Sequence, residues 1–404
     1  MSAYPTPTPN RSRVIADAIA RRDESQQWEE FIVRMLQRLE LSDEKRDAAT
    51  RRYSEFSHHI AQAFGIGTDD VHVVVQGSMR TQTTIAGDGR EKFDLDVVVK
   101  LTGPKFLRLP YSEQFFQDFG ASLHGIRDAG EPSPKSRCWR LQYPGEPFYF
   151  DVTPAIPVHP EIEGTILRVR DPQTIWSPSN PEEFADWFCG IANRKFPFQA
   201  LRRVVVADAK TTVDPIPQGP VRLDDILRRL VQLMKLHRDS YFKRLPDHRR
   251  DAKPISVILV TLASKAYQQM VEREPHAFTT AIEVALEVVA RIPSFIDHNE
   301  FGYQVNNPAL PGAVSENFAD KWNSDNGQRA REFAAWHTRL TDDLDALFSE
   351  KYSTRSEDRV RAVFGDQGVQ AWKASQGASA LAGLLSGLST PLEPRKSTSS
   401  DTFA

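Results

Sequence analysis

The chain has 404 residues, which is long enough for two domains or lobes that each bury an apolar core. Its 51 basic side chains nearly balance 54 acidic ones, so a broadly basic nucleic-acid-binding surface is excluded, although a local basic patch stays open. The two cysteines form no CxxC pair and the histidines do not cluster, so neither a disulfide framework nor a zinc site is indicated.

The hydropathy pattern gives no sign of a membrane protein. The longest apolar stretch, Ile255 to Ala263, is far shorter than the roughly 20 residues that span a bilayer. The first residues, "MSAYPTPTPNRSRV", lack the hydrophobic segment of a signal peptide and are typical of a flexible arm. We therefore expect a cytoplasmic protein that makes no membrane contact.

The N-terminal half predicts two helices followed by strands. Apolar residues recur at helical spacing between Glu24 and Leu39, and again between Tyr53 and Phe64, where Gly65 suits the C-cap. Strand-like segments follow at Val71–Val75, Phe93–Leu101, Cys138–Tyr143, Phe148–Ile156 and Thr165–Val169. This order predicts a mixed α/β lobe.

The C-terminal half predicts helices almost throughout. "SNPEEFADWF" has the features of a helix start, with Asn180 as N-cap, Pro181 at N1 and Glu183 at N3. Later apolar stripes predict helices within Leu223–Met234, Ile255–Met270, Ala281–Ala290, Phe318–Phe348 and Glu357–Ala374. We expect four parts: an arm at 1–23, an α/β lobe at 24–215, a helical lobe at 216–375 and a flexible tail at 376–404, disordered beyond Ser389.

Two acidic residues interrupt the apolar strand "FDLDVVVKL". Because side chains i and i+2 of a strand lie on one face, Asp94 and Asp96 project together while Phe93, Leu95 and Val97 pack the other face. Adjacent carboxylates repel each other, and a divalent cation is the usual way to neutralise them. An isolated Asp-x-Asp pair is nevertheless more often a solvated face or a turn.

A third carboxylate strengthens the case for a metal site. Asp151 lies alone among apolar neighbours in "PFYFDVTPAIP", and a strand there beside the first would bring the three carboxylates to one point. Three carboxylates can hold two magnesium ions, as two-metal phosphoryl transfer requires.

The segment "VHVVVQGS" adds a candidate phosphate contact. This segment predicts a strand that ends in Gln76-Gly77-Ser78 and is followed by a helical turn. Glycine lets a phosphate approach backbone N–H groups, and a serine hydroxyl can donate to a phosphate oxygen. Gly-Ser alone is equally typical of a turn with a helix N-cap. The ordered set is more specific: strand, Gly-Ser, short helix, Asp-x-Asp strand and a later strand with one Asp.

This set resembles the nucleotidyltransferase superfamily that includes DNA polymerase β, and in detail the bacterial cGAS-like enzymes, or CD-NTases. Those enzymes are the cyclic-oligonucleotide synthases of CBASS anti-phage defence. "GSMRTQTTI" with "FDLDVVVKL" is similar to their opening signature, and "LRRLVQLMKLHRDSYF", "KPISVILVTLASKAY" and "NPALPGAVSENFADKW" are similar to their helical lobe. The resemblance implies an α/β (α+β) fold: a polymerase β-like nucleotidyltransferase palm lobe with a mixed β-sheet, plus a C-terminal helical lobe.

The resemblance also implies roles for single residues. Asp94, Asp96 and Asp151 would be catalytic and would bind two Mg²⁺ ions, with Mn²⁺ as a substitute, and Asp151 would help activate the attacking ribose hydroxyl. The substrate-binding residues would be Gln76, Gly77, Ser78, Lys235 and Ser256, which hold the donor triphosphate. Lys235 could equally be a solvated helix residue, and Ser256 an ordinary first-turn residue after Pro254.

The implied reaction joins NTPs into a cyclic di- or trinucleotide with release of pyrophosphate, and the product reaches a downstream effector. A linear oligonucleotide synthase and a non-catalytic nucleotide-binding protein on the same fold remain alternatives. The zinc insertion of the animal DNA sensor has no counterpart here, so activation by double-stranded DNA is not expected. The end "SSDTFA" resembles tails that an E1/E2-like partner conjugates, with Phe403 as a handle and Ala404 as the activated residue.

Overall fold

The computed structural model describes residues 25–86, 92–159, 164–199, 225–310, 312, 315–349 and 357–387. Within them, one mixed sheet of seven strands lies in the N-terminal half. Its strands are β1 (Val71–Val75), β2 (Phe93–Leu101), β3 (Ser133–Pro134), β4 (Trp139–Gln142), β5 (Phe148–Pro157), β6 (Leu167–Asp171) and β7 (Ile175–Ser179). A separate hairpin consists of β8 (Asp297–Asn299) and β9 (Gly302–Gln304).

The helices divide between the two halves of the chain. The first five are α1 (Ser25–Leu39), α2 (Asp43–Phe64), α3 (Gly77–Arg80), α4 (Ser112–Ser122) and α5 (Pro181–Ala192). The later ones are α6 (Ile226–Lys243), α7 (Asp247–Arg250), α8 (Ser256–Arg273), α9 (Ala281–Arg291), α10 (Asp320–Ser324), α11 (Gln328–Ser349) and α12 (Glu357–Gly387). None of the described helices is long and apolar enough to cross a bilayer.

The central pair of the sheet is β2 and β5, which run parallel to each other, while β1 lies antiparallel on the outer side of β2. In this register Asp96 lies opposite Asp151, and Asp94 lies opposite Tyr149. Strand β4 lies antiparallel on the other side of β5 and places Arg140 opposite Asp151. The strand alternation therefore brings side chains from three neighbouring strands to one face of the sheet.

Each half buries its own apolar core. In the first, Phe56 of α2 and Phe119 of α4 pack against the side of the sheet that carries Leu95 and Phe150, all of which are buried. The second core is helical and includes the buried Trp336 of α11. The two cores hold the sheet and the helical bundle as the walls of a cleft.

Helix α1 contributes to the helical core although it begins the described chain. Trp28 packs edge-on against Phe348, with ring centroids 4.9 Å apart, and Phe31 packs against Phe364. The division of the chain at residues 24, 216 and 376 stays a prediction, and the arm at 1–23 and the tail beyond Ser389 lie outside the described residues.

Most predicted elements are present, with small shifts at their ends. The predicted bounds of β1 and β2 are confirmed, and so is the cap of α5, where Glu183 N–H donates to Asn180 Oδ1 at 3.2 Å. Helices α4 and α7, strands β3 and β7, and the β8–β9 hairpin were not predicted.

Two helix predictions are wrong in extent. The single helix expected over Phe318–Phe348 is split into α10 and α11, because Asn326 and Gly327 take positive φ values of 56° and 72°. The last helix does not end at Ala374 but continues to Gly387, with a kink at Gly365, whose φ is 67°.

Candidate active site

A cleft of about 370 Å³ lies where the edge of the sheet faces the helical core. Its walls come from β2, α3, α5, α6 and α8 and from the loop segment that carries Asn307 and Phe318. The predicted site residues that line it are Gln76, Gly77, Ser78, Asp94, Asp96, Lys235 and Ser256. Asp151 lies beside them on β5, so the structure brings all the predicted residues to one region.

Three carboxylates converge on the sheet side of this cleft. One oxygen from each of Asp94, Asp96 and Asp151 lies within 4.8 Å of the other two, and all three side chains are partly buried. The parallel pairing of β2 with β5 produces this arrangement, since it sets Asp96 beside Asp151 and leaves Asp94 on the same face. Carboxylate oxygens in this arrangement suit a hard divalent cation.

The electrostatics of the three carboxylates are unfavourable without a cation. Burial, and then the charges of Asp94 and Asp151, raise the pKa of Asp96 from its ordinary value of 3.8 to about 8. A group with that pKa holds a proton at neutral pH, whereas a bound cation would favour the deprotonated carboxylate. The donor set therefore fits a divalent metal ion.

Arg140 is part of this cluster and was not singled out from the sequence. Its Nε and Nη2 donate to the two oxygens of Asp151 at 2.8 and 2.7 Å, and Nη2 lies 4.0 Å from Asp94 Oδ2. The guanidinium also stacks over the ring of Tyr149, with Cζ 4.0 Å from the ring centroid. Arg140 thus supplies one positive charge to the three acidic side chains.

Gly77 fits tightly against the acidic strand. Its φ is +62°, and a Cβ atom built there would lie 2.4 Å from Asp96 Oδ2. The backbone N–H of Gln76 donates to the carbonyl of Asp96 at 3.0 Å, which fixes the turn on β2. Any larger side chain at this position would displace the carboxylate, so glycine is required by both backbone conformation and contact.

Ser78 lies on the short helix α3 and faces the cleft. Its hydroxyl oxygen accepts a hydrogen bond from Thr84 Oγ1 at 3.1 Å, and its carbonyl accepts from Thr83 N–H at 2.8 Å. The hydroxyl hydrogen of Ser78 can therefore point elsewhere, toward an acceptor in the cleft.

Lys235 crosses from α6 to the segment that follows α3. Its Nζ donates to the carbonyl and the hydroxyl of Thr83 at 3.1 and 2.8 Å, and its side chain is almost fully buried. Burial, and then the nearby Arg238, lower the pKa of Lys235 from 10.5 to about 7. Two turns of helix earlier on α6, Arg228 Nε donates to the carbonyl of Thr81 at 3.0 Å.

Ser256 begins α8 and contacts a second cation of the cleft. Its hydroxyl oxygen accepts from Arg238 Nη1 at 3.0 Å, and the same nitrogen donates to the carbonyl of Pro254 at 3.1 Å. Arg238 and Lys253 both pair with Asp239, at 2.9 and 3.0 Å. The sequence reasoning missed Arg238, although it lies three residues after Lys235 and so on the same face of α6.

Comparison with known proteins agrees with this geometry. No protein-family model matches the chain. The chain is 28% identical over 299 residues to a c-di-GMP synthase of Roseivirga ehrenbergii, which covers 73% of each protein. The solved structure of the CD-NTase CdnG of Bradyrhizobium diazoefficiens, in complex with GTP, matches with a TM-score of 0.63 and 21% identity, over 85% of this chain and 97% of that one.

The chain is thus similar in sequence to a cyclic-dinucleotide synthase and in fold to a CD-NTase. The expected fold class is confirmed: the chain has the polymerase β-like nucleotidyltransferase fold, with a mixed sheet and a helical half. The Vibrio cholerae cyclic AMP-GMP synthase DncV, in complex with a nonhydrolysable GTP, shares that fold with a TM-score of 0.51 at 14% identity, over 89% of this chain and 92% of that one.

Proposed function

We propose that this protein is a CD-NTase and that it joins NTPs into a cyclic di- or trinucleotide that acts as a second messenger in anti-phage signalling. The observation that carries the proposal is the group of Asp94, Asp96 and Asp151 within 4.8 Å of one another, beside the Gly77-Ser78 turn in a cleft. The relative named c-di-GMP synthase supports a cyclic product.

In this proposal the three carboxylates hold two Mg²⁺ ions, with Mn²⁺ able to replace them. Two ions between carboxylates and phosphate would supply charge neutralisation for the triphosphate and a lower pKa for the attacking hydroxyl. Arg140 donates to both oxygens of Asp151, so it neutralises part of the charge of that carboxylate and holds it in place.

The chemical step is a phosphoryl transfer. The oxygen of a ribose hydroxyl forms a bond to the α-phosphorus of a second NTP, and the bond from that phosphorus to the bridging oxygen of pyrophosphate breaks. Asp151 helps to remove the hydroxyl proton, and pyrophosphate leaves with the bonding electrons. In the last transfer, the free ribose hydroxyl of a linear intermediate attacks the α-phosphorus of the triphosphate at its other end, and a further pyrophosphate leaves as the ring closes.

The triphosphate would lie between the α3 turn and α6. Backbone N–H groups at Gly77, the hydroxyl of Ser78 and the ammonium of Lys235 are donors that line the cleft together with Gln76. Ser256 would reach the phosphates from α8, next to Arg238. Charge-assisted donors of this kind bind phosphate oxygens more strongly than neutral ones.

The proposal is tested by incubating purified protein with radiolabelled NTPs, singly and mixed, with Mg²⁺ or Mn²⁺. We expect a phosphatase-resistant product, since a cyclic oligonucleotide has no terminal phosphate. A phosphatase-sensitive ladder would instead support a linear oligonucleotide synthase. NTP binding by calorimetry without turnover in either metal would support a non-catalytic nucleotide-binding protein.

The end of the tail, residues 389–404, carries a further part of this proposal and lies outside the described residues. We propose that an E1/E2-like partner conjugates Ala404, with Phe403 as a recognition handle, in the cytoplasm. Deleting residues 389–404 should leave the rate of the purified enzyme nearly unchanged and remove a higher-mass conjugate from cells that contain the partner. An inactive deletion variant, or a full-length chain that forms no conjugate, would contradict it.

A further inference from the structure

The cleft has an apolar wall that the proposed metal and phosphate contacts do not use. Pro181, Phe184 and Phe318 line it, and the rings of Phe184 and Phe318 meet edge to face with centroids 5.8 Å apart. Both phenyl rings are only partly buried. An apolar, partly exposed wall of this kind fits the face of a planar heterocycle.

A polar pair lines the same cleft on the same loop segment. Asn307 Nδ2 donates to Glu316 Oε2 at 2.9 Å, and Asn307 N–H donates to the carbonyl of Glu316 at 2.8 Å. Asn307 Oδ1 accepts from Ala309 N–H at 2.9 Å, which fixes which end of the amide faces Glu316. The side chain of Glu316 is 17% exposed.

Glu316 is less fully paired than Asp239, which also lines the cleft. Asp239 has two close cations, Arg238 and Lys253, within about 3 Å. Among the residues that the structure describes, one cation lies within 4 Å of Glu316: Arg137, whose Nη1 is 3.6 Å from Oε1, while Nε and Nη2 of that guanidinium donate to Asp171. A carboxylate has about four acceptor positions. Glu316 therefore keeps acceptor capacity toward the cleft.

We infer that Glu316, held by Asn307, selects guanine as the base of an NTP in this cleft; the inference rests on the proposed function. Guanine presents two adjacent N–H donors, at N1 and N2, which match the two acceptor oxygens of a carboxylate. Adenine presents an acceptor at N1, whose lone pair would face the carboxylate oxygens, so only its N6 amino group could donate. Cytosine and uracil each present one donor group, so they form one contact instead of two.

The alternative is that Glu316 only fastens its loop to Asn307. Substitution Glu316→Gln separates the two roles, because a glutamine oxygen can still accept from Asn307 while the second acceptor becomes an N–H₂ donor. Glu300→Gln, at an exposed residue of the turn between β8 and β9, is the matched control.

The experiment measures binding of nonhydrolysable GTP and ATP analogues by calorimetry, in Mg²⁺, to the full-length wild type and both variants. We expect the wild type to prefer the GTP analogue. Glu316→Gln should weaken that binding roughly 10- to 100-fold, the range of one bidentate base contact, and change binding of the ATP analogue by less than about 2-fold. Glu300→Gln should behave as the wild type does.

A second measurement needs no variant. The inosine triphosphate analogue lacks the N2 amino group and should bind the wild type roughly 10-fold more weakly than the GTP analogue. Equal weakening of both analogues in Glu316→Gln, a wild type that prefers ATP, or equal binding of inosine and guanosine analogues would overturn the inference and leave the proposed function standing. A wild type that binds no NTP analogue would overturn both.

Discussion

The two charged walls of the cleft are built differently. The acidic wall, Asp94, Asp96 and Asp151, consists of like charges within 4.8 Å of one another, with Arg140 as a cation at one side. The basic wall is Lys235 and Arg238 of α6, and oxygens of Thr83, Pro254 and Ser256 hold it. The basic wall is already held by these neutral acceptors and by Asp239, which pairs with Arg238, whereas the acidic wall has more carboxylates than cations and gains its charge balance from what binds to it.

The largest expected effect comes from removing the acidic wall. Asp94→Asn with Asp96→Asn should lower the turnover of NTPs by a factor on the order of 10³ or more, since several kcal/mol of metal stabilisation are lost. The fold should be kept, and without metal the melting temperature should stay or rise because repulsion is relieved. Binding of Mn²⁺ without NTP should disappear as well. Asp118→Asn, at an exposed residue of α4, is the control, and a double variant with near-normal turnover would contradict the assignment.

When a chelator has removed the metal, the two walls should change the free energy of unfolding with pH in opposite directions. With a pKa of about 8, folded Asp96 keeps a proton that the unfolded chain has lost, so the free energy of unfolding should fall as pH rises from about 4 to 8. With a pKa of about 7, folded Lys235 lacks a proton that the unfolded chain holds, so stability should rise from about pH 7 to 10.5.

Urea unfolding of two variants checks these signs. Asp96→Asn should remove the fall measured between pH 5 and 7, and Lys235→Met should remove the rise measured between pH 8 and 9.5. Each change is expected to be a few kcal/mol at most. Variants whose pH profiles are parallel to that of the wild type would show that neither group titrates abnormally.

Removing the lysine of the basic wall should cost less than removing the acidic pair. Lys235→Met should weaken binding of a nonhydrolysable NTP analogue by roughly 10- to 100-fold, as expected for one charge-assisted phosphate contact. Binding of the corresponding nucleoside should change little. Calorimetry with both ligands measures the difference, with Lys321→Met on the exposed side of α10 as control. Equal losses for triphosphate and nucleoside would place the role of Lys235 elsewhere.

The smallest effect tests the cation of the acidic wall. Arg140→Gln should lower the metal-free free energy of unfolding by about 1–2 kcal/mol, since Asp151 loses both hydrogen bonds of a partly exposed pair. Mn²⁺ should bind more tightly to this variant and should restore more stability to it than to the wild type. Arg34→Gln, which breaks an exposed pair with Glu30, should change neither quantity. A variant with unchanged metal affinity would show that Arg140 does not compete with the ion.

The acidic wall could be predicted from the sequence because local rules place its residues. The alternation of β2 puts Asp94 and Asp96 on one face, and the apolar context of Asp151 marks β5 as a buried strand. The role of Arg140 could not be predicted in the same way. The strand Cys138–Tyr143 was predicted, but the pairing of Arg140 with Asp151 depends on the register of the β4–β5 hairpin.

The rest of the cleft could not be predicted because its contacts join distant segments. Nothing in the spacing of Asn307 and Glu316 indicates that both face the cleft, and Arg238 donates to Pro254 and Ser256, at the start of α8. The break between α10 and α11 did have a local signal, the Asn326-Gly327 pair, which is a common turn sequence. The amphipathic stripe on either side of it outweighed that signal.

The hydrogen bonds from α6 to the segment after α3 limit how the two halves can move relative to each other. Lys235 and Arg228 hold the carbonyls of Thr83 and Thr81, so this segment is fastened to the helical half while α3 is fastened to the sheet through Gln76. When the cleft opens for product release, the two halves would therefore stay in contact at residues 81–84. The halves would rotate about this segment. In hydrogen exchange, the amide of Thr83 should exchange slowly with or without nucleotide, while the amides of the loop segment around Asn307 respond to the ligand.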